Sequence, residues 1–315
     1  MLLLLVSSAL AGPAYTDPDK TDADFAFQGE YVGTAKSGDK EEKVGAQIIA
    51  LGKGKFRAVA YHGGLPGDGW DPASEKHMAE GELKDKEVVF DPGNGIRGVL
   101  KDGTLTVTAE GKPFAEFKKT ERKSPTLGAK PPEGAIVLFD GSSADAFEGG
   151  KLDGKLLQQG VTSKRKFGSH KVHLEFRTPY QPEDSGQARG NSGCYLQGRY
   201  EVQILDSFGL VGDHHECGGL YSVADPKVNM CLPPLSWQTY DIDYTAAVYD
   251  GDKLIKNPRI TVKHNGVTIH ENVELPGERN TTSAPTPPGK EPGPLYLQDH
   301  GNPVRYRNIW VVETK

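Results

Sequence analysis

At 315 residues the chain is long enough for one large or two ordinary domains, each burying its own core. A formal net charge of -6 excludes the basic surface that nonspecific nucleic-acid binding requires, since that binding rests on releasing counterions from phosphates, and leaves a neutral or small partner. With 39 Gly, 22 Pro and few long runs of helix formers, short strands joined by tight turns are expected and helix should be scarce.

Residues 1–14 form an apolar run of signal-peptide length in which Ala9-Leu10-Ala11 has the small-x-small form of a cleavage site, although no basic residue opens it. The expectation is export to the periplasm or the exterior. No other segment approaches the ~20 apolar residues of a membrane-spanning helix. A polar lead-in follows over residues 15–24. A small antiparallel β-domain is expected over 24–119, from strand-like runs at Val44–Leu51, Phe56–Tyr61, Val88–Phe90, Ile96–Leu100, Leu105–Thr108 and Phe114–Phe117. Gly52-Lys53-Gly54 and Asp102-Gly103 lie between paired runs, where hairpin turns need residues that tolerate positive φ. Residues 120–134, rich in Lys, Pro and Gly and without periodicity, read as a linker.

From Ala135 to Lys315 a second domain carries strands at Val172–Arg177, Cys194–Gln197, Tyr200–Leu205, Tyr240–Tyr244, Ile260–Lys263, Val267–Ile269, Leu295–Gln298 and Tyr306–Val312, with a hairpin at Asn265-Gly266. So many short strands without interleaved amphipathic helices predict an all-β, two-sheet sandwich. Cys217 and Cys231 bound one loop and can close a disulfide in an oxidising compartment; the alternative is three unpaired buried thiols, Cys194 included.

Seven motifs occur in order in this second region: Leu138-Phe139-Asp140-Gly141, His173-Leu174-Glu175-Phe176-Arg177, Gly190-Asn191-Ser192-Gly193, Tyr200-Glu201-Val202-Gln203-Ile204-Leu205-Asp206, Gly219-Leu220-Tyr221, Gln298-Asp299-His300-Gly301 and Arg307-Asn308-Ile309. Together they resemble the 3-keto-disaccharide hydrolase domain family over nearly all of residues 135–315. The resemblance implies a concanavalin A-like jelly-roll whose concave sheet holds a sugar, and an activity on glycosides oxidised at C3. No family is recognised over the first domain, and its role is open.

Strand alternation leads independently to the same residues. If Leu174 and Phe176 point into the core, Glu175 and Arg177 point out; likewise Tyr195 and Gln197, Glu201 and Gln203, and Gln298 followed by Asp299 and His300. These outward polar groups, with Asn191, are expected to share one sugar-binding face, although the outer face of any half-buried sheet is polar. Glu201-x-Gln203-x-x-Asp206 loosely resembles the carboxylate strand of retaining glucanases, but Gln203 stands where a carboxylate would be needed for a two-carboxylate displacement. A ketone at C3 opens another route. It acidifies the C2 hydrogen, so a base can form the enolate, the C1 substituent can leave, and water can add afterwards. Glu201 or His300 could be the base, Arg177 or a metal could stabilise the enolate, and Gln203 and Gln298 could orient hydroxyls; His300 has the alternative of a plain turn residue. His214, His215 and Glu216 are metal-ligand types in one loop but lack the spacing of a well-formed site, so a solvated loop competes with a divalent-metal site. The rival to an enzyme is a non-catalytic carbohydrate-binding or cell-envelope protein.

Overall fold

A computed structural model describes residues 12–37 and 40–314; most of the proposed leader, residues 1–11, lies outside the described residues. Among the described residues there is no α-helix, only three short 3-10 turns, and no helix long and apolar enough to cross a membrane.

The N-terminal strands form a closed barrel. Gly29–Ser37, Lys40–Gly52, Lys55–His62, Lys76–Lys84, Glu87–Gly93, Ile96–Lys101, Thr104–Ala109 and Lys112–Thr120 each pair antiparallel with the next, and the last pairs with the first. Its tight hairpins are built as expected: Lys53 and Gly54 have φ of 56° and 73°, Asp102 and Gly103 of 47° and 73°. Two strands were not legible, Gly29–Ser37 and Lys76–Lys84. The inward side chains of the second, His77, Ala79, Gly81 and Leu83, carry almost no apolar alternation.

The C-terminal strands form a jelly-roll sandwich. The larger sheet runs Leu152–Asp153, Leu156–Gln158, Arg305–Glu313, His170–Arg177, Gln238–Thr245, Arg259–His264, Val267–Glu274, with Ile136–Phe139 added on Arg305–Glu313. The smaller sheet runs Phe147–Glu148, Val161–Phe167, Gly293–Leu297, Ser192–Leu196, Tyr200–Ile204. Between them lie Val172, Leu174 and Phe176 from one sheet and Cys194, Leu196, Val202, Ile204, Leu295 and Leu297 from the other, so the expected alternation holds in both. The Asn265-Gly266 hairpin is present, with φ of 50° and 80°.

Barrel and sandwich share one apolar cluster. Ile49, Val59, Tyr61, Leu65 and Trp70 on the barrel's outer side join the sandwich core, with Ile49 pressed against Gly209 so closely that a side chain at 209 would collide with it. Trp70 is buried and packs edge-on against Tyr61. Tyr15 in the polar lead-in exchanges two backbone hydrogen bonds of 2.9 Å with Tyr180 of the sandwich.

The segment 120–134 is a docked strap rather than a free linker. Three of its residues, Arg122, Thr126 and Gly128, meet particular partners on the two domains, which leaves no periodicity. Arg122 holds the buried carboxylate of Glu30 in the barrel with Nε at 2.7 Å and with Nη2, and reaches the Pro66 carbonyl at 2.7 Å. Thr126 donates to Asp241 at 2.7 Å, and the Gly128 N–H donates to Glu175 at 2.6 Å. Arg122→Ala would leave Glu30 buried without its cation, a loss of about 3 kcal/mol in urea unfolding, at the low end for buried pairs because Arg122 is partly exposed.

Candidate active site

The two sheets put their outward polar residues on opposite faces of the sandwich, so the single face expected from alternation is two. Period-two alternation separates inside from outside but not one sheet from the other.

On the larger sheet's face, Glu175 is fully buried beneath the strap. Arg307 donates to it at 2.6 Å, Asn308 at 2.9 Å and the Gly128 N–H at 2.6 Å. Burial alone would raise its pKa, but hydrogen bonds from His173, Asn308, Arg307 and Gly128 outweigh burial and bring it down to about 2. Beside it, burial works against charging His173, yet the 2.6 Å contact with Asp241 and the proximity of Glu175 raise its pKa. Arg177 donates to the Thr16 carbonyl at 2.8 Å and, with Arg307, brackets the Trp237 ring at 5.1 and 4.0 Å. Trp237 is therefore a half-buried outer residue. Glu175 and Arg177 hold the strap and the lead-in; neither reaches the site on the other face.

The smaller sheet's face carries a cleft of about 40 Å³ lined by Gln187, Asn191, Tyr195, Glu201, Gln203, Tyr221, Thr282, Ser283, Gln298 and His300. Six residues singled out by sequence converge here: Asn191, Tyr195, Glu201, Gln203, Gln298 and His300. Adjacent strands explain this, since Tyr195 pairs with Glu201 in one direction and with Tyr296 in the other. Glu201 is nearly buried and folds over Gly193 of the neighbouring strand; a side chain at 193 would take the carboxylate's place.

Tyr195 Oη lies 2.7 Å from Glu201 Oε2 and 3.0 Å from the Thr282 carbonyl, and Gln298 donates to it at 3.2 Å. A hydroxyl has one proton, so Tyr195 serves one acceptor at a time. With Glu201 ionised, Tyr195 donates to the carboxylate. With Glu201 protonated, the acid donates to Tyr195 and the tyrosine proton turns to Thr282. Among the described residues no cation forms an ion pair with Glu201. Burial raises its pKa from 4.5 to about 8, against the opposing hydrogen bond from Tyr195. Gln203 donates to Gln187 at 3.1 Å and to the His215 carbonyl at 3.3 Å, while Asn191 donates to Gln187 and leaves its Oδ1 buried without a partner.

The remaining expectations are corrected. Gln197 turns away from the cleft at the tip of its hairpin, with φ of 53°, and accepts from Arg199 and Tyr244 at 2.8 and 2.9 Å. Asp299 is exposed and accepts from the Gly301 N–H, closing a turn beside the cleft. His214, His215 and Glu216 do not converge: His214 faces Asp225 at 2.7 Å, Glu216 accepts from the Gly212 and Asp213 N–H groups, and the His215 carbonyl supports Gln187 and Gln203. No group of three His, Cys, Asp or Glu side chains among the described residues is arranged to hold a metal ion. Of the two alternatives for the cysteines, the structure has three unpaired buried thiols, Cys194, Cys217 and Cys231, rather than a Cys217–Cys231 bridge; the Cys217 sulfur sits 3.3 Å from Tyr240 Oη and Cys231 donates to the Leu205 carbonyl. Gln187, Tyr221, Thr282 and Ser283 were missed as site residues. Tyr221 lay within a quoted motif; the others sit on loops without any periodic signal.

A carboxyl, a tyrosine and amides clustered on one jelly-roll sheet face offer hydrogen-bonding groups suited to a polyhydroxylated ligand. The 3-keto-alpha-glucoside-1,2-lyase-like domain matches residues 134–312, more than half of the chain, and the chain belongs to that family. A solved structure from Parabacteroides distasonis ATCC 8503, described as a "putative glycosyl hydrolase", is 32% identical with a TM-score of 0.53, covering 58% of this chain and 85% of that one. A second structure from the same organism, described in the same words, is 17% identical with a TM-score of 0.42, covering 58% and 95%. No curated protein matches the chain.

The Glu201 proton also sets a stability signature. Between 4.5 and about 8 the folded chain keeps a proton there that the unfolded chain has released, so stability falls as pH rises through this window and levels off above it. Glu201→Gln cannot ionise and removes this contribution. Its melting temperature, relative to wild type, should climb steadily across that pH window; a difference independent of pH would contradict the shift.

Proposed function

We propose that the chain cleaves glycosides oxidised at C3 by elimination, with Glu201 as the base. The observation that carries this reading is a carboxyl nearly buried at the cleft, without a cation, whose pKa of about 8 suits proton transfer near neutrality. A site that only bound sugar would gain nothing from a buried carboxyl in that range.

In this mechanism the ionised Glu201 takes the hydrogen from C2, and the C2–H electron pair moves into the C3 carbonyl to give an enolate. The enolate then collapses toward C1 and expels the C1 oxygen substituent, which takes its proton from water at the open cleft rim beside His300. The product is an unsaturated 3-keto sugar, and water adding across C1 and C2 completes hydrolysis. Arg177 is on the opposite face, so the enolate oxygen is assigned to the Tyr221 hydroxyl and the Gln298 amide. The unpartnered Asn191 Oδ1 is ready to accept from a sugar hydroxyl. The cleft is small and open, so part of the sugar lies outside it, over Thr282, Ser283 and His300. We further propose that this chemistry takes place outside the cytoplasm, on the strength of the apolar leader ending in Ala9-Leu10-Ala11.

With a 3-keto-disaccharide, Glu201→Gln should lower kcat by about 10² to 10⁴, the usual contribution of one acid–base group. In the wild type kcat/KM should rise with pH through about 8, because the base must be ionised, and that rise should vanish in the variant. Deuterium at C2 should slow turnover, and Arg177→Ala should leave it close to wild type. Equal cleavage of the unoxidised disaccharide, or wild-type turnover by Glu201→Gln, would overturn the reading.

A further inference from the structure

The barrel encloses a cavity of about 540 Å³, unconnected with the chemistry proposed for the sandwich. An eight-stranded barrel is just wide enough for side chains to fill its interior or for one small ligand to occupy it. Here the two halves differ. In one half Tyr31, Ile48, Phe56, Val88 and Leu100 fill the lumen, and that end is packed against Tyr180 and Leu235 of the sandwich. In the other half six inward positions are alanines, Ala35, Ala46, Ala58, Ala60, Ala79 and Ala115, and between them and larger neighbours such as Val44, Phe90 and Leu105 the space stays open. The register sets these small residues side by side: Ala46 opposite Ala60, Ala58 opposite Ala79, Ala35 opposite Ala115. Lys76 also borders the cavity, but its Nζ lies 4.8 Å from the Trp70 ring on the barrel's outer side, so the space itself is walled mainly by apolar groups and suits an apolar guest.

The mouth differs from the wall. His62 Nδ1 lies 3.3 Å from Glu42, and His62 Nε2 lies 3.2 Å from His77 Nε2, a short chain of exposed hydrogen-bonding groups at the rim. Facing them, Phe114 occupies a β-bulge: Pro113 pairs with Thr108 and Ala115 with Val107, which leaves Phe114 without a cross-strand partner and directed to the mouth, 40% exposed. Bulges at barrel rims commonly re-aim a side chain in this way.

We propose that the barrel is a binding site for one small uncharged amphipathic molecule, its apolar body among the alanines and a hydroxyl or carbonyl head at His62 and His77. Burying an ionised group against this wall would be costly, and the Glu42 carboxylate disfavours an anionic head. Titration of the full chain with N-phenyl-1-naphthylamine, an uncharged apolar fluorophore, followed by displacement with 1-decanol, tests it. Saturable fluorescence at one site per chain, displaced by decanol more effectively than by decanoate, is expected. Ala58→Leu and Ala60→Phe, which fill the cavity from two strand positions of partial exposure, should each weaken binding at least tenfold while keeping the wild-type β circular dichroism spectrum. Fluorescence that does not saturate, stronger displacement by decanoate, or undiminished binding in a folded filled variant would overturn the proposal. If one variant fails to fold, the wild-type stoichiometry and the alcohol–acid order still decide it.

Discussion

A carboxyl buried without a cation is the constraint around which the site is arranged. Moving an ionised carboxylate out of water is costly, and a protein that buries one must surround it with donors or let it keep its proton. This chain does each once. Glu175 projects outward from a central strand of the larger sheet and Glu201 from the edge strand of the smaller one, and both are nearly inaccessible. Glu175 receives Arg307, Asn308 and the Gly128 N–H and stays ionised down to about 2; Glu201 has Tyr195 and is held near 8. Two outward-facing buried carboxyls thus meet the same cost in opposite ways, one kept ionised by its donors and the other kept protonated through neutral pH.

The division of labour extends to the two faces of the sandwich. One face is sealed by the strap, whose contacts with Glu175, Asp241 and Glu30 tie the barrel to the sandwich through charged hydrogen bonds, roughly twice as strong as neutral ones. The other face is left to a small cleft fenced by the loop carrying Thr282 and Ser283. That loop is pinned to the active strand, with the Glu201 N–H donating to Thr281 Oγ1 at 3.0 Å and the Thr281 N–H donating to the Arg199 carbonyl at 3.0 Å. The peptide that carries Glu201 is therefore held by the loop that receives the Tyr195 proton.

Much of this was legible in the sequence. Positive-φ turns at Asp102-Gly103 and Asn265-Gly266, alternating apolar residues along His170–Arg177 and Tyr200–Ile204, and the outward set Asn191, Tyr195, Glu201, Gln203, Gln298 and His300 all follow from local rules. What was not legible depends on long-range pairing. Arg177 and Glu201 have the same in-out phase, and only the sheet order places them on opposite faces. The strand Lys76–Lys84 faces a lumen walled by small residues, so its inward positions lack the bulk that announces a buried face. The strap looked like a linker because hydrogen bonds from Arg122, Thr126 and Gly128 leave no periodic trace in composition.

The protonation state of Glu201 can be read without substrate. Isotope-edited infrared difference spectra of the protein with carboxyl-labelled glutamate, wild type minus Glu201→Gln, isolate the protonated carboxyl stretch of this one side chain. The account predicts that the band persists through neutral pH and disappears with a midpoint near 8. Loss of the band with a midpoint near 4.5 would show an ordinary solvated carboxylate and contradict the account.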